Sequence, residues 1–177
     1  MAEELGGGRK PCRYLAPQPL TAAHDLSTFD CGEPALNDWL RQRALKNESR
    51  FSRTYVVCEG AQVVGYFCIS AGAVQREAAP GKVRRNAPDT IPVSVIGRLA
   101  VSRDHAGQGL GADLLADALR RIALAAQSIG IGAVLVHAKD DAAKRFYLRC
   151  AEFIEYPADS RTLFLPIETV MAAFDDQ

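Results

Sequence analysis

The order of elements predicts one α/β (α+β) domain built on a mixed, mostly antiparallel sheet flanked by helices. Three observations carry that expectation. Two extended runs, 54–58 and 63–70, are joined by a short turn and read as an antiparallel pair. A strong strand at 93–101 runs through a glycine-rich turn into a long amphipathic helix. A buried strand at 133–138 is followed by a helix and two more short strands.

In chain order, residues 1–12 read as a flexible arm with an acidic start and Gly6-Gly7-Gly8, and 13–177 as the single domain. Arg13–Ala16 is expected as a short first strand, ended by Pro17 and Pro19. From Glu33 the pattern turns helical. Pro34 sits in the first turn, and Leu36, Trp39, Leu40 and Ala44 share one face to about Asn47, with Arg41, Arg43 and Lys46 mostly opposite. After the antiparallel pair, 74–92 reads as a long polar connection. The helix opened by the turn at 104–109 places Leu110, Leu114, Leu115, Ala118, Ile122, Ala125 and Ile129 on its apolar stripe. Asp113, Asp117, Arg120, Arg121 and Gln127 fall on its polar side, and Gly130 and Gly132 stop it. Asp140 is placed to cap a helix running to about Arg149, and Ile167–Phe174 reads as a terminal helix.

The composition excludes several functions. Basic and acidic residues number 21 each, so no global field favours a polyanion and nucleic acid would have to meet a local patch. Five cysteines without a CxxC pair argue against a disulfide framework or zinc knuckle and for reduced cytoplasmic thiols. No apolar run reaches the ~18 residues of a membrane span, and the N-terminal stretch has no signal-peptide core.

The chemistry sits in His105-Ala106-Gly107-Gln108-Gly109-Leu110-Gly111. Alternate glycines at a strand-to-helix corner let backbone N–H groups approach a ligand, and the helix N-terminus favours phosphate oxygens. A tight turn with no ligand is the plainer alternative. A dinucleotide fold would want GxGxxG after the first strand, and a nucleoside-triphosphate loop would want GK[ST]; neither is present. A diphosphate held by main-chain amides, without lysine or metal, fits coenzyme A.

The run Val95 to Val101 followed by Gly107-Gln108-Gly109-Leu110-Gly111 resembles the central motif of the GNAT acyltransferase superfamily, Q/R-x-x-G-x-G/A after a bulged strand. Ala106 occupies the Q/R position, a departure that removes any side-chain anchor there. Phe29 to Leu40, Gly65-Tyr66-Phe67, Gly97 to Val101, Ala142 to Tyr147 and Ser160 to Pro166 then follow in order. Across roughly residues 14–170 they resemble the TacT-like branch, toxins of bacterial toxin–antitoxin pairs. A second departure is Cys150-Ala151-Glu152-Phe153, where the family more often has Gly-Phe.

The resemblance implies a GNAT fold splayed at an acetyl-CoA site and transfer of acetyl to the α-amine of aminoacyl-tRNA. It implies backbone pairing of Leu99, Ala100 and Val101 with the cofactor, a phosphate turn formed by Ala106, Gly107, Gln108, Gly109, Leu110, Gly111 and Ala112, and Tyr147 as general acid. Packing with a bonded hydroxyl is the other reading of Tyr147. No general base stands out; Glu33, Asp38 and His137 are candidates, each with a plainer reading as surface charge or core histidine. Arg76, Lys82, Arg84 and Arg85 crowd one loop, which with Arg98 is the expected tRNA contact. The resemblance further implies a ribbon-helix-helix (DUF1778-type) antitoxin that supplies DNA binding, and a homodimer. The rival readings are acetylation of a small or protein amine by the same fold, and a non-catalytic coenzyme A-binding module.

Overall fold

A computed structural model describes residues 14–156 and 158–175, so the expected arm at 1–12 and Arg13 lie outside the described residues. The centre is a seven-stranded open sheet in the order β1-β2-β3-β4-β5-β7-β6. Its strands are β1 (Gln18–Pro19), β2 (Arg53–Glu59), β3 (Gln62–Gln75), β4 (Thr90–Val101), β5 (Ala133–His137), β6 (Ile154–Tyr156) and β7 (Asp159–Pro166). All neighbours are antiparallel except β4 and β5.

The helical run α1 opens with Pro34–Trp39, continues as a π segment over Leu40–Ala44 and ends in Leu45–Asn47. Pro34 stands in its first turn, where a missing N–H costs nothing. The remaining helices are α2 (Gly81–Arg84), α3 (Leu110–Ala126), α4 (Asp141–Cys150) and α5 (Ile167–Phe174). Asp140 caps α4 as expected, accepting from the Ala143 N–H at 2.8 Å.

Several boundaries differ from the sequence reading. The first strand among the described residues is Gln18–Pro19, and 14–16 of the expected Arg13–Ala16 strand are not extended into the sheet; at the sheet edge a proline removes no needed ladder bond. β3 continues to Gln75 and β4 begins at Thr90. The connection expected at 74–92 shrinks to 76–89 and holds a 3-10 turn, Arg76–Ala78, as well as α2. Helix α3 stops at Ala126, leaving Ile129 61% exposed and Ala125 exposed, while Leu119 and Ala123 are buried instead. Asp117, expected in solvent, is 7% exposed because Arg120 and Arg121 each hold one of its oxygens at 2.6 Å. Neutralisation by two guanidinium groups makes that burial tolerable.

The sheet has an apolar layer on each face. On one, Leu114, Leu115, Ala118 and Ile122 of α3 pack with Phe67, Ile96, Val134, Val136, Leu163 and Leu165, and α5 joins them. Burial of each such leucine or isoleucine contributes about 1.5–3 kcal/mol. On the other face α1 covers Val56, Tyr66 and Ala100, and α2 covers Ile91, Val93, Leu135 and Phe164 through Val83. Gly65 lets α3 lie close on β3, since an added Cβ would stand 3.0 Å from Leu114 Cδ1.

Candidate active site

A bulge organises the site. Cys68 of β3 faces Arg98, but Ile69 faces Ile96, so Gly97 is the extra residue in β4. One added residue exchanges the two faces of the strand. Ile91 and Val93 point to α2; beyond the bulge Ala100 takes that face, while Leu99 and Val101 turn toward α3. The parallel pairing of β4 with β5 covers only Val93–Ile96 opposite Ala133–Val136. From Gly97 the two strands part, and the β5-side edge of Gly97 to Val101 has no ladder partner among the described residues.

That edge leads into the glycine corner. After a 3-10 turn, Arg103–His105, Gly107 has φ +74° and Gly109 has φ +82°, a region that favours glycine. Gly109 caps α3 without any side-chain cap, and the first recorded bond back to it comes from Asp113 N–H. The N–H groups of Leu110, Gly111 and Ala112 are therefore left for an external acceptor at the positive end of a 17-residue helix. Ala106 to Gly109 and Ala112 are exposed, whereas the Leu110 side chain is buried at 5%, so its contribution is its backbone. The Gln108 side chain is engaged: its Oε1 accepts from Tyr14 Oη at 3.0 Å, and Tyr14 Oη also meets His105 Nδ1 at 2.7 Å. This tie across some ninety residues was not visible in the sequence.

Tyr147 lies in α4 with its ring wedged edge-on between Phe146 and Phe153. Phe146 in turn stands 3.5 Å from where a Gly111 Cβ would be, which brings α4 against the start of α3. The Tyr147 hydroxyl has no hydrogen-bond partner among the described residues and is not sealed from solvent. Burial, with the Cys68 and Cys150 thiols nearby, pushes its pKa up to about 12. The phenol thus keeps its proton, unspent on the protein, at any ordinary pH.

The Phe29-to-Leu40 element forms a platform beside the splay. Asp30 Oδ1 accepts from Gly32 N–H at 2.9 Å and Asn37 Nδ2 at 3.0 Å, and Arg103 pairs with the same carboxylate at 3.2 Å. The Gly32 N–H, then Asn37 and the nearby Arg103 charge, hold this exposed carboxyl below the usual range. The lock ties the start of α1 to the end of β4, and it explains the DCG…LN spacing. Trp39 stacks on Tyr66 at 6.0 Å, and Arg98 covers the Trp39 ring at 4.2 Å. Arg98 is thus held beside the bulge, apart from the other expected tRNA contacts.

Of the three base candidates, Glu33 is paired with Lys139 at 2.9 Å and Asp38 with Arg41 at 3.7 Å. His137 ends β5 and is exposed, with Nδ1 3.1 Å from Thr162 Oγ1. It is not the core histidine that the sequence allowed. Arg76, Lys82, Arg84 and Arg85 gather at the N-terminal end of β4, opposite the glycine corner; all four are exposed, and Arg76 also pairs with Asp89 at 3.5 Å. They share a sheet face with Arg41, Arg43 and Lys46 of α1.

The sequence profile of the acetyltransferase (GNAT) family matches residues 20–153. A tRNA-acetylating toxin of Mycobacterium tuberculosis is 44% identical over 164 residues, which cover 92% of this chain and 98% of that protein. Among solved structures, AtaT complexed with acetyl-methionyl-tRNAfMet superposes with a TM-score of 0.82 at 32% identity, covering 90% of this chain and 98% of that one. A tyrosine-to-phenylalanine mutant of the AtaT toxin, bound to the C-terminus of the antitoxin AtaR and acetyl-CoA, gives a TM-score of 0.77 at 31% identity, covering 90% and 97%. With a bulged and splayed strand pair, an uncapped helix start and these relatives, the chain belongs to the GNAT acetyltransferase family.

Proposed function

We propose that this chain is an acetyl-CoA-dependent N-acetyltransferase that acts as a toxin, acetylating the α-amine of aminoacyl-tRNA and so blocking translation. The observation that carries the reading is a pair of neighbouring backbone stretches, the β5-side edge of Gly97–Val101 without a ladder partner among the described residues and the uncapped N–H groups of Leu110, Gly111 and Ala112, with Tyr147 in the helix that Phe146 packs against the second of them. The donor set fits acetyl-CoA: amides for a diphosphate, open space beside Gly107 and Gly109, and a strand edge for an amide-bearing pantetheine arm.

When bound, the co-substrate supplies an activated acetyl group. Leu99, Ala100 and Val101 pair with its arm, and an N–H on that edge polarises the thioester carbonyl. Ala106 to Ala112 hold the diphosphate through main-chain groups. Tyr147 gives its proton to the departing sulfur; its raised pKa keeps that proton in place until the sulfur becomes basic. Arg76, Lys82, Arg84, Arg85 and Arg98 read phosphates of the acceptor stem. The relatives' names support the tRNA substrate, and an antitoxin bound to AtaT supports a partner of that kind, which we assign to the ribbon-helix-helix type. A homodimer and a cytoplasmic location complete the proposal; no described helix is long and apolar enough to cross a membrane.

The test is mass spectrometry of total aminoacyl-tRNA after incubation with the protein and acetyl-CoA. N-acetylated aminoacyl ends are expected. Unmodified tRNA together with acetylation of free amines would overturn the tRNA reading in favour of a small-amine enzyme.

A further inference from the structure

The end of β5 carries an arrangement that the acetyl-donor site does not use. Val136 is level with Ile96 in parallel register, so His137 stands one residue further on, level with the Gly97 bulge where β4 and β5 part. Alternation sends Val134 and Val136 into the α3 layer and puts His137 on the α1–α2 face, with Ala133 and Leu135. There it lines a groove of about 360 Å³ floored by Gly72, Val93, Val95 and Leu135. Ala78, from the 3-10 turn that carries Arg76, lines the groove as well. The groove thus runs between that turn and the end of β5, where His137 is level with the bulge.

Hydrogen-bond chemistry fixes the state of the imidazole. Thr162 Oγ1 lies 2.6 Å from Asp159 Oδ2 and 3.1 Å from His137 Nδ1. The Thr162 hydroxyl and the Arg161 N–H hold the Asp159 carboxyl below its usual range, so it is ionised and can only accept. The single hydroxyl proton of Thr162 therefore goes to Asp159, and Oγ1 must accept from His137. That requires a proton on Nδ1, so in the neutral ring the lone pair is on Nε2. Nε2 has no hydrogen-bond partner among the described residues. The neighbouring charges are engaged elsewhere, Arg161 with Asp141 at 3.5 Å and Lys139 with Glu33 at 2.9 Å.

We infer that His137 is the catalytic base of the transfer, its Nε2 taking the proton of the attacking amine while Thr162 and Asp159 position the ring. The inference rests on the proposed N-acetyl transfer. In the step the neutral amine nitrogen bonds to the acetyl carbon and loses one proton to Nε2. The carbon–sulfur bond breaks, and the sulfur takes the Tyr147 proton. The imidazolium then returns its proton to water and the Tyr147 phenolate regains one from water, so protons balance. Asp159, through Thr162, stabilises the imidazolium while it exists.

The experiment follows steady-state acetyl transfer to a total aminoacyl-tRNA pool by wild type, His137→Ala, Thr162→Val and Thr162→Ser, with acetyl-CoA affinity measured by calorimetry for each. His137→Ala is expected to lower kcat by ~10²–10³-fold with KM and Kd for acetyl-CoA unchanged, and added imidazole is expected to restore part of the rate. Thr162→Val should lose roughly tenfold because the tautomer is no longer imposed, and Thr162→Ser should keep the wild-type rate. A kcat for His137→Ala within about threefold of wild type overturns the inference. So does a loss of acetyl-CoA affinity in that variant, which marks a structural role. Failure of the underlying function is recognised separately, because the wild type itself then transfers nothing.

Discussion

Replacing Gly109 with alanine separates the cost of an unusual backbone from the cost of obstructing a ligand. Gly109 caps α3 at φ +82°, and an added Cβ there would meet no protein atom within 4 Å. Gly60, in the β2–β3 turn, has φ +63° and equally open surroundings, but no expected ligand nearby. In either place a left-handed alanine costs about 1–2 kcal/mol. The stiffer unfolded chain returns about 0.4–1 kcal/mol of that. Each variant should then lose about 1 kcal/mol of stability and melt about 2–4 °C lower, as expected for a chain of this length. Affinity should diverge. The new methyl at 109 stands beside the uncapped N–H groups of Leu110, Gly111 and Ala112, and acetyl-CoA should bind at least tenfold more weakly, about 1.4 kcal/mol. Gly60→Ala should bind as the wild type does. Thermal melts and calorimetry on the two variants decide the matter; equal acetyl-CoA affinity for both would refute the diphosphate assignment of the corner.

Further outcomes follow from the same geometry. Tyr147→Phe keeps the ring between Phe146 and Phe153 and removes a hydroxyl with no protein partner. Its melting temperature and acetyl-CoA affinity should therefore stay near wild type while the rate falls by ~10²–10⁴-fold. The Tyr147 pKa is raised from 10 to about 12, so the fold retains a proton that the unfolded chain gives up. Stability from this group is complete below pH 10 and is lost as pH rises from 10 through about 12. Melts across that range should show wild type losing up to about 2–3 kcal/mol more than Tyr147→Phe. Joint replacement of Lys82, Arg84 and Arg85 by alanine should raise KM for tRNA, leave acetyl-CoA affinity unchanged, and flatten the log–log salt dependence by about one unit per lost phosphate contact. An unaltered salt slope would remove that segment from the interface.

Much of the fold was legible because it depends on local rules. Pro34 and Asp140 mark helix starts through backbone chemistry that needs no distant partner. Ile167–Phe174 was placed to the residue, and the α3 stripe was correct where the helix faces the sheet, at Leu114, Leu115, Ala118 and Ile122. It failed at Ala125, which is exposed in the last turn, and at Ile129, where the periodicity continues although the helix has ended. Strand ends were misplaced for a similar reason. Pro19 and Pro92 look like breakers, but each sits in a ladder because its neighbours supply the pairing.

The sequence by itself determined the glycine corner between strand and helix, where Gly107 and Gly109 adopt positive φ, since only glycine tolerates those torsions without help. It determined which tyrosine follows the strand, through the order of motifs. Tertiary structure alone decided that β4 and β5 part at Gly97, because a bulge exists only relative to the strand opposite it. It also decided that Arg98 lies against Trp39 and that Asp30, Asn37 and Arg103 close one lock. His137 became a histidine of fixed tautomer only when Thr162 and Asp159 came beside it. Torsional preference belongs to a residue and can be read one letter at a time; hydrogen-bond direction belongs to a pair or a chain of groups, and only the folded backbone brings those groups together.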